Sequence, residues 1–564
     1  MNHLEGRAAL HTWEASKPTN YYLTDPFLQQ TLAFYMGDAY ETALDALRAL
    51  GAQSAQVIDG LVRQEDRIGN HPKLERYTGI GERVEQIEFH PNHDAVGRII
   101  WEAGVMAQQA QPGSTVLQMG LYYLLSLHGE AGHMCSLACT SGLIRALQTV
   151  GDEALKAKYL PPLLERDYDR MQHGAQFLTE VQGGSDVGAN SIRAVQAADG
   201  TWRISGEKWF CSNINADQFL MTARASDAAG TKGLGLFLVP RKLDDGSTNR
   251  FFIRRLKDKL GTRTLASAEL DFDEAVAYAV GPIEQGFKTA VELVLNTSRL
   301  MNAVACAGVI RRAFYEASTY ACHRSAFGSV IAAYPLVQEA IADLHSEASA
   351  ATASSFYIAH LVDRIDTGQA SDDEKAIYRL LVNVNKYLTS VRGSEMVHRA
   401  IEVLGGNGAI ESFSVLPRLY RDMVVLESWE GTHNVLALQV LRDIARFKLH
   451  EPFMAEARRW LNDGSLPELA AERALVGQAV GDLGWMLARL AQGSEAYQQA
   501  HARRLIDRIG LIAQAALLLR HTQHTPTRQN IDLTAYFVHR HLHPAYDPLS
   551  DEAYLPRLER IMMG

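Results

Sequence analysis

Between Phe177 and Ala275 the apolar residues of this 564-residue chain recur at every second position, whereas on both sides they recur every three to four. Alternation of that kind marks strands with one face buried, and the longer period marks helices with an apolar stripe. The strand-like runs are TWRISG (Thr201–Gly206, after an Asp199-Gly200 turn), QFLMTARA (Gln218–Ala225), GLGLFLVPR (Gly233–Arg241) and SAELDFDEA (Ser267–Ala275). A β-rich block is thus expected between helical regions. Thr24 or Asp25 with Pro26 signals a helix start and Gly51 a stop, predicting one helix that carries Phe27, Leu28, Leu32, Leu44 and Leu47. With the Ala/Leu-rich stretches 95–109 and 115–150, the first 175 residues are predicted helical. Helices resume near Gly286 and run to Phe447, and Leu483–Leu490 and Leu505–Leu519 extend the pattern to the end. The expected fold class is mainly α with a central β domain, divided as 1–175, 176–283, 284–448 and 449–564.

A chain this long exceeds one hydrophobic core, so several domains are expected. No apolar run reaches the roughly 18 residues of a membrane span. The start, MNHLEGRAALHTWE, has neither a basic region nor an apolar one, and the five cysteines show no paired spacing. These features lead to the expectation of a cytoplasmic protein with reduced thiols. A net charge of −10 disfavours nucleic acid as a partner of the whole molecule. The glycines of GTKGLG (Gly230–Gly235) do not form GxGxxG, and no P-loop is present, so no dinucleotide is expected on a Rossmann turn. His128 and His133 in HGEAGH lack the HExxH arrangement, and His539, His541 and His543 share a face only in an extended chain, so no metal is predicted. Arg254–Lys259 (RRLKDK) reads as a solvated hairpin edge.

One stretch carries chemistry. In ESWEGTHN (Glu427–Asn434), Glu430 is expected to end an extended run, Met423–Trp429, before Gly431 breaks it. Thr432 is placed to cap a helix whose Val435, Leu436, Leu438, Val440, Leu441 and Ile444 recur at helical spacing. Glu430 is then either an aimed carboxylate or a first-turn Glu favoured by the helix dipole. Three further stretches favour the first reading: FLTEVQGGSD (Phe177–Asp186), EKWFCSN (Glu207–Asn213) and HRSAFG (His323–Gly328).

Together, and with the LGGNG turn (Leu404–Gly408), these motifs resemble the acyl-CoA dehydrogenase family, over roughly residues 90–445. NYYLTD (Asn20–Asp25), FHP (Phe89–Pro91), RLKDKLG (Arg255–Gly261) and the Trp of WEG resemble its AidB-type, alkylation-response branch. The resemblance implies an N-terminal helical domain, a β-barrel-like domain, a helical bundle and a helical extension. It implies FAD as cofactor and Glu430 as the base that takes the α-proton of an acyl-CoA, helped by Trp429 if burial there moves the carboxyl nearer neutrality. The family's other base position falls on Ser298, before Arg299, which leaves Glu430 alone. On the cofactor side the resemblance places Leu178 and Thr179 at the flavin's pyrimidine edge, Phe210 in place of a ring-packing Trp, and Ser212 in place of a Thr near N5. Ser185 lies in a loop for flavin and ligand phosphates. Arg324 and Phe327 would hold the pyrophosphate and adenine end of a neighbouring subunit's flavin. Gly405 and Gly406 allow close backbone approach, Thr432 and Asn434 open a helix suited to phosphate, and Glu402 replaces a Gln. Trp429, in place of the usual Tyr, reshapes the acyl slot, while Ser185, Arg299 and Gly431 face substrate. Implied partners are an acyl-CoA substrate, an electron-transfer flavoprotein or similar acceptor, and further copies of the chain, as a tetramer or a dimer. The alternative within the branch is a stress-response flavoprotein that binds DNA or a protein partner and catalyses little.

Overall fold

The computed structural model describes residues 3–563 apart from 465, 544, 546–550 and 552. The chain divides into two compact units: residues 57–114 with 130–301, and residues 1–56 with 115–129 and 302–564.

The first of these units holds the sheet. A hairpin, β1 (Lys73–Tyr77) with β2 (Arg83–Glu88), interrupts the stretch expected to be wholly helical. β1 alternates exposed and half-buried side chains and β2 buries Glu85 and Ile87 on either side of the exposed Gln86, a short period-2 signal that the flanking helical sequence hides. The main sheet comprises β3 (Gly174–Phe177), β4 (Arg193–Gln196), β5 (Trp202–Ser212), β6 (Gln218–Arg224), β7 (Leu234–Pro240), β8 (Phe251–Leu256) and β9 (Ser267–Ala279). Pairing runs β6-β4-β5-β9-β7 and returns from β7 to β6, so the strands close on themselves, with β3 added to β6 and β8 to β9. Closure removes most unpaired strand edges. Phe177, Phe219, Phe237, Phe251, Leu270 and Phe272 fill the interior. β8 is the solvated edge anticipated for the RRLKDK stretch: Arg254 pairs with Glu207 and Asp271, and Arg255 with Glu269.

The other unit is helical. The single helix expected from Pro26 to Gly51 is two, Pro26–Met36 and Ala39–Gln53, because Gly37 takes φ +55 and ends the first. Asp25 does cap it, its carboxylate accepting from Leu28 N–H at 3.0 Å. Gly51 lies inside the second helix, where a Cβ would stand 2.7 Å from Tyr22 Cβ. Close packing rather than chain termination explains that glycine. Helix Pro335–Asp366 is buried on most sides, consistent with its run of Ala and Ser, and several hydroxyls (Ser349, Thr352, Ser354) bond back to carbonyls four residues earlier. Helix Asp372–Leu404 opens with a capping box, Ser371 with Glu374, and ends at Gly405, φ +60.

The C-terminal segment packs on these two helices. In helix Glu495–His524, Gly510 lies so close to Leu388 and Val384 of helix Asp372–Leu404 that a Cβ would meet them at 2.8 and 3.1 Å. Tyr387 donates to Asp507 at 2.7 Å, and Tyr536 to the buried Asp343 at 2.7 Å. Helices Arg528–Leu542 and Tyr554–Met563 close a small core of Ala342, Leu533, Tyr536, Leu558 and Ile561. His539 and His541 lie on helix Arg528–Leu542 rather than in an extended run, and they hydrogen-bond to Glu472 and Glu347 at 2.9 and 2.7 Å. Among the described residues one helical stretch, Ile283–His323, is long and apolar enough to cross a membrane, with mean hydropathy 1.4 in its most apolar window, but 83% of that window is buried in the protein. All five cysteines are free thiols.

Candidate active site

The residues singled out from the sequence fall in both compact units.

In the sheet-bearing unit, β3 ends at Phe177 and the chain turns through Leu178–Asn190. That loop is held from beneath by a fully buried ion pair, Lys208 on β5 with Glu180, at 3.0 Å. Burial pulls the Lys208 ammonium down and the Glu180 carboxylate pushes it back up. Glu180 also accepts from the N–H groups of Ser191 and Ile192, and Lys208 donates to the Leu178 carbonyl at 3.0 Å. Two charges buried together hold only when hydrogen bonds satisfy both, as here. The Thr179 carbonyl takes the Trp209 N–H at 2.9 Å, which ties the Leu178-Thr179 corner to β5. Gly183 has no room for a side chain: a Cβ would stand 2.5 Å from the Asp186 carbonyl. Ser185 is exposed beyond it.

The far end of β5 presents Phe210, 53% exposed, and the partly exposed Ser212. Lys257 lies over both rings of the Trp209-Phe210 pair, 3.7 and 4.6 Å from the centroids, and pairs with Glu269 at 2.9 Å. β5 ends at Ser212, and Asn213 follows with a φ of +58, uncommon for a residue with a side chain. Its amide repays this by bonding Gly174 O, Ser136 Oγ and His173 Nδ1. An exposed aromatic face beside hydroxyls and a braced main-chain corner fits a flat heteroaromatic ring with a polar edge, such as isoalloxazine. In the same unit Ser298 donates to Gln176 at 3.3 Å, and the buried Arg299 donates to Asn296 at 3.0 Å.

In the helical unit, Met423–Ser428 is not extended: it is the last part of helix Leu416–Ser428. A short apolar run such as Met423–Leu426 does not distinguish a strand from a buried helix. Glu430 follows with φ +56 and Gly431 with φ +108, and a new helix, His433–Phe447, starts behind Thr432. Thr432 occupies the capping position, but its side chain makes no capping bond. Glu430 precedes that cap by two residues, so it is not a first-turn carboxylate of the helix. It sits in a left-handed turn between two helix ends.

Lys386, from helix Asp372–Leu404, braces that turn. Its ammonium donates to the Glu427 carbonyl at 2.8 Å and to the Gly431 carbonyl at 3.2 Å, with no exposed surface. A cation at a helix C-terminus satisfies carbonyls that have no partner in the helix. Glu427 completes the clamp, accepting from Ser394 and pairing with His433 Nε2 at 2.8 Å. Burial would raise the Glu427 carboxyl, yet the bonds from His433 and Ser394 prevail and hold it below the usual range. Trp429 is half-buried and Asn434 exposed. Glu402 lies on the last turn of helix Asp372–Leu404 and gives its carbonyl to Gly405 N–H, and no atom approaches within 4 Å of the Cβ positions at Gly405 or Gly406. Arg324 and Phe327 occupy a small hairpin, β10 (Ser325–Ala326) with β11 (Ser329–Val330). Phe327, φ +52, is 98% exposed at its tip.

Lys386, Lys208 with Glu180, and Lys257 were not found from the sequence. A lysine inside an apolar helical run, as in LLVNVNKYLTS (Leu380–Ser390), is the available signal, since lysine is rarely buried without partners.

Three family models match consecutive parts of the chain: Adaptive response protein AidB N-terminal domain over residues 13–170, Acyl-CoA dehydrogenase, middle domain over 175–275, and Acyl-CoA dehydrogenase, C-terminal domain over 284–445. Acyl-CoA dehydrogenase family member 11 of Caenorhabditis elegans is 32% identical over 439 residues, covering 75% of this chain and 70% of that protein. The AidB protein of Escherichia coli K12 is 33% identical over 392 residues, covering 66% and 69%. The crystal structure of C. elegans ACDH-11 in complex with C11-CoA superposes with a TM-score of 0.88 at 28% identity, covering 94% of this chain and 93% of that one. The chain therefore belongs to the acyl-CoA dehydrogenase family of FAD-dependent oxidoreductases, in its AidB-like branch.

Proposed function

We propose that the protein desaturates an acyl-CoA thioester between its α and β carbons, with Glu430 as the sole base. The observation that carries this reading is the conformation of Glu430. A residue with a side chain is held at φ +56 in a turn pinned by the buried Lys386. Such strain costs on the order of 1 kcal/mol or more and persists where surrounding structure over-determines it, commonly at active sites. FAD fits the residues present in the sheet-bearing unit: Phe210 offers a ring face, and Thr179 and Ser212 offer hydroxyls.

Bound FAD supplies the acceptor for the β-hydride, chemistry that belongs to the cofactor. Glu430 takes the α-proton on its carboxylate, and its own N–H is the main-chain donor for the thioester oxygen as charge develops there. Ser298, at the family's other base position, is a hydroxyl that donates to Gln176, so it offers no second base. Arg299 and Ser185 serve the substrate side, while Arg324 and the protruding Phe327 serve a neighbouring copy in a homo-oligomer. The substrate class is an acyl-CoA, in line with the C11-CoA bound by the C. elegans relative. An electron-transfer flavoprotein or similar acceptor reoxidises the enzyme. Anaerobic titration of the purified yellow protein with acyl-CoAs of graded chain length tests this: flavin absorbance bleaches with at least one of them. Bound FAD that no acyl-CoA reduces would refute the reading.

A further inference from the structure

Lys259 has no role in the arrangement above, yet it makes contacts with a direction. Its ammonium donates to the Leu265 carbonyl at 2.7 Å and to Ser267 Oγ at 3.1 Å. Ser267 is buried on β9, directly across from Ser212 on β5, and the two hydroxyl oxygens are 3.0 Å apart. The neighbouring Lys257 does not compete for this position, because Glu269 and the Trp209-Phe210 rings occupy it.

The polarity of this chain follows from what each group can do. An ammonium only donates, so Ser267 Oγ must accept from Lys259. With one lone pair taken by Lys259, Ser267 keeps its own proton to donate, and Ser212 Oγ lies within reach of it at 3.0 Å. With Ser212 accepting from Ser267, its own hydroxyl proton is left for another acceptor. A serine in such a chain is a better donor than an isolated one, because a charge at one end polarises each bond in turn.

We infer that Lys259, acting through Ser267, is a positioning residue that fixes Ser212 as a hydrogen-bond donor toward the bound flavin and so makes the flavin easier to reduce. The inference rests on the proposed site, in which Ser212 faces flavin N5. A donor there favours electron arrival at N5, and the fixed positive charge behind it acts in the same direction. Lys259 reaches the site through Ser267. Its effect is carried by two hydroxyls, and its loss should appear in the flavin's reduction equilibrium rather than in acyl-CoA affinity.

The test is the two-electron midpoint potential of the FAD-loaded protein, measured by anaerobic dye equilibration for wild type, Lys259→Met, Lys259→Arg and Ser267→Ala. Lys259→Met and Ser267→Ala are each expected to lower the reduction equilibrium constant about tenfold, equivalent to about 30 mV for a two-electron couple. Lys259→Arg keeps the charge and stays near wild type. The double variant Lys259→Met/Ser267→Ala falls no further than either single one, because both act on one chain. If Lys259→Met does not fold, Ser267→Ala, which removes only one buried oxygen, decides the matter. Wild-type potentials in Lys259→Met or in Ser267→Ala would overturn the inference, as would an equal fall in Lys259→Arg. A protein that binds no FAD would refute the site itself, and this inference with it. Normal FAD binding with unshifted potentials would refute the relay alone.

Discussion

Lys386 donates to the main-chain carbonyl of Glu427 at 2.8 Å from a position with no solvent exposure, and the same ammonium holds Gly431, so both ends of the turn that carries Glu430 are fixed by one buried charge. The base is thereby aimed by an element outside its own motif. Replacing Lys386 with Met leaves two partly buried carbonyls without this donor. The expected cost is about 1–3 kcal/mol of stability, read by urea unfolding, with slower flavin reduction but retained FAD. A variant as stable and as fast as wild type would show that the clamp is dispensable.

Glu430 separates chemistry from strain. Glu430→Gln should keep bound FAD and lose flavin reduction by acyl-CoA by a factor of roughly 10³, as expected for a sole base. Glu430→Gly should be equally inactive but more stable by up to about 1 kcal/mol, since glycine adopts a positive φ without penalty. Rapid-mixing absorbance and thermal melts read the two effects. Turnover retained in the Gln variant would remove Glu430 from the mechanism.

Acid should destabilise the protein through buried histidines. Burial is the leading cause that pulls His93 and His360 down to about 4 and His133 and His521 to about 3. Between pH 6.5 and about 4 the unfolded chain therefore binds protons that the folded one refuses, and stability falls as the pH drops. Each histidine contributes a slope of about 1.4 kcal/mol per pH unit at most, and none above pH 7. His521 stacks on Phe27 with ring centroids 4.1 Å apart. His521→Phe keeps that stacking and should flatten the acid limb of urea-derived stability by up to one proton. An unaltered slope would exclude His521.

At the β10–β11 hairpin, an aromatic side chain 98% exposed at a tip with φ +52 is poorly accounted for within a single copy. Phe327→Asp and Arg324→Ala should each weaken assembly and FAD retention together, as measured by light scattering and by flavin lost on gel filtration. Assembly and flavin content unchanged in both would place the hairpin outside any interface.

The C-terminal segment, 451–564, contains twelve arginines, no lysine and thirteen acidic residues. Several of those arginines are already spent on carboxylates, including Arg508 on Asp482, Arg520 on Asp463, Arg540 on Asp343 and Arg560 on Asp532. DNA binding needs cations free to displace counterions. Duplex DNA should accordingly bind no tighter than micromolar at physiological salt. Tight, steeply salt-dependent binding lost on deleting this segment would restore the alternative of a DNA-binding stress protein.

The sequence by itself determined the order of helical and β regions and the motifs that carry the family, because both depend on local periodicity and on short runs of residue types. It also singled out Glu430, through the WEG run. It misassigned Met423–Ser428 as extended and Pro26–Gly51 as one helix, since short apolar runs carry no reliable period and a glycine's role depends on its neighbours. Tertiary structure alone decided that Glu430 adopts a left-handed turn, that Lys386 pins it from 41 residues before Glu427, and that Lys259 meets Ser267, which faces Ser212 on the adjacent strand. Burial of a charge is repaid by partners that folding brings near, and neither the burial nor the partners are encoded by any neighbouring residue.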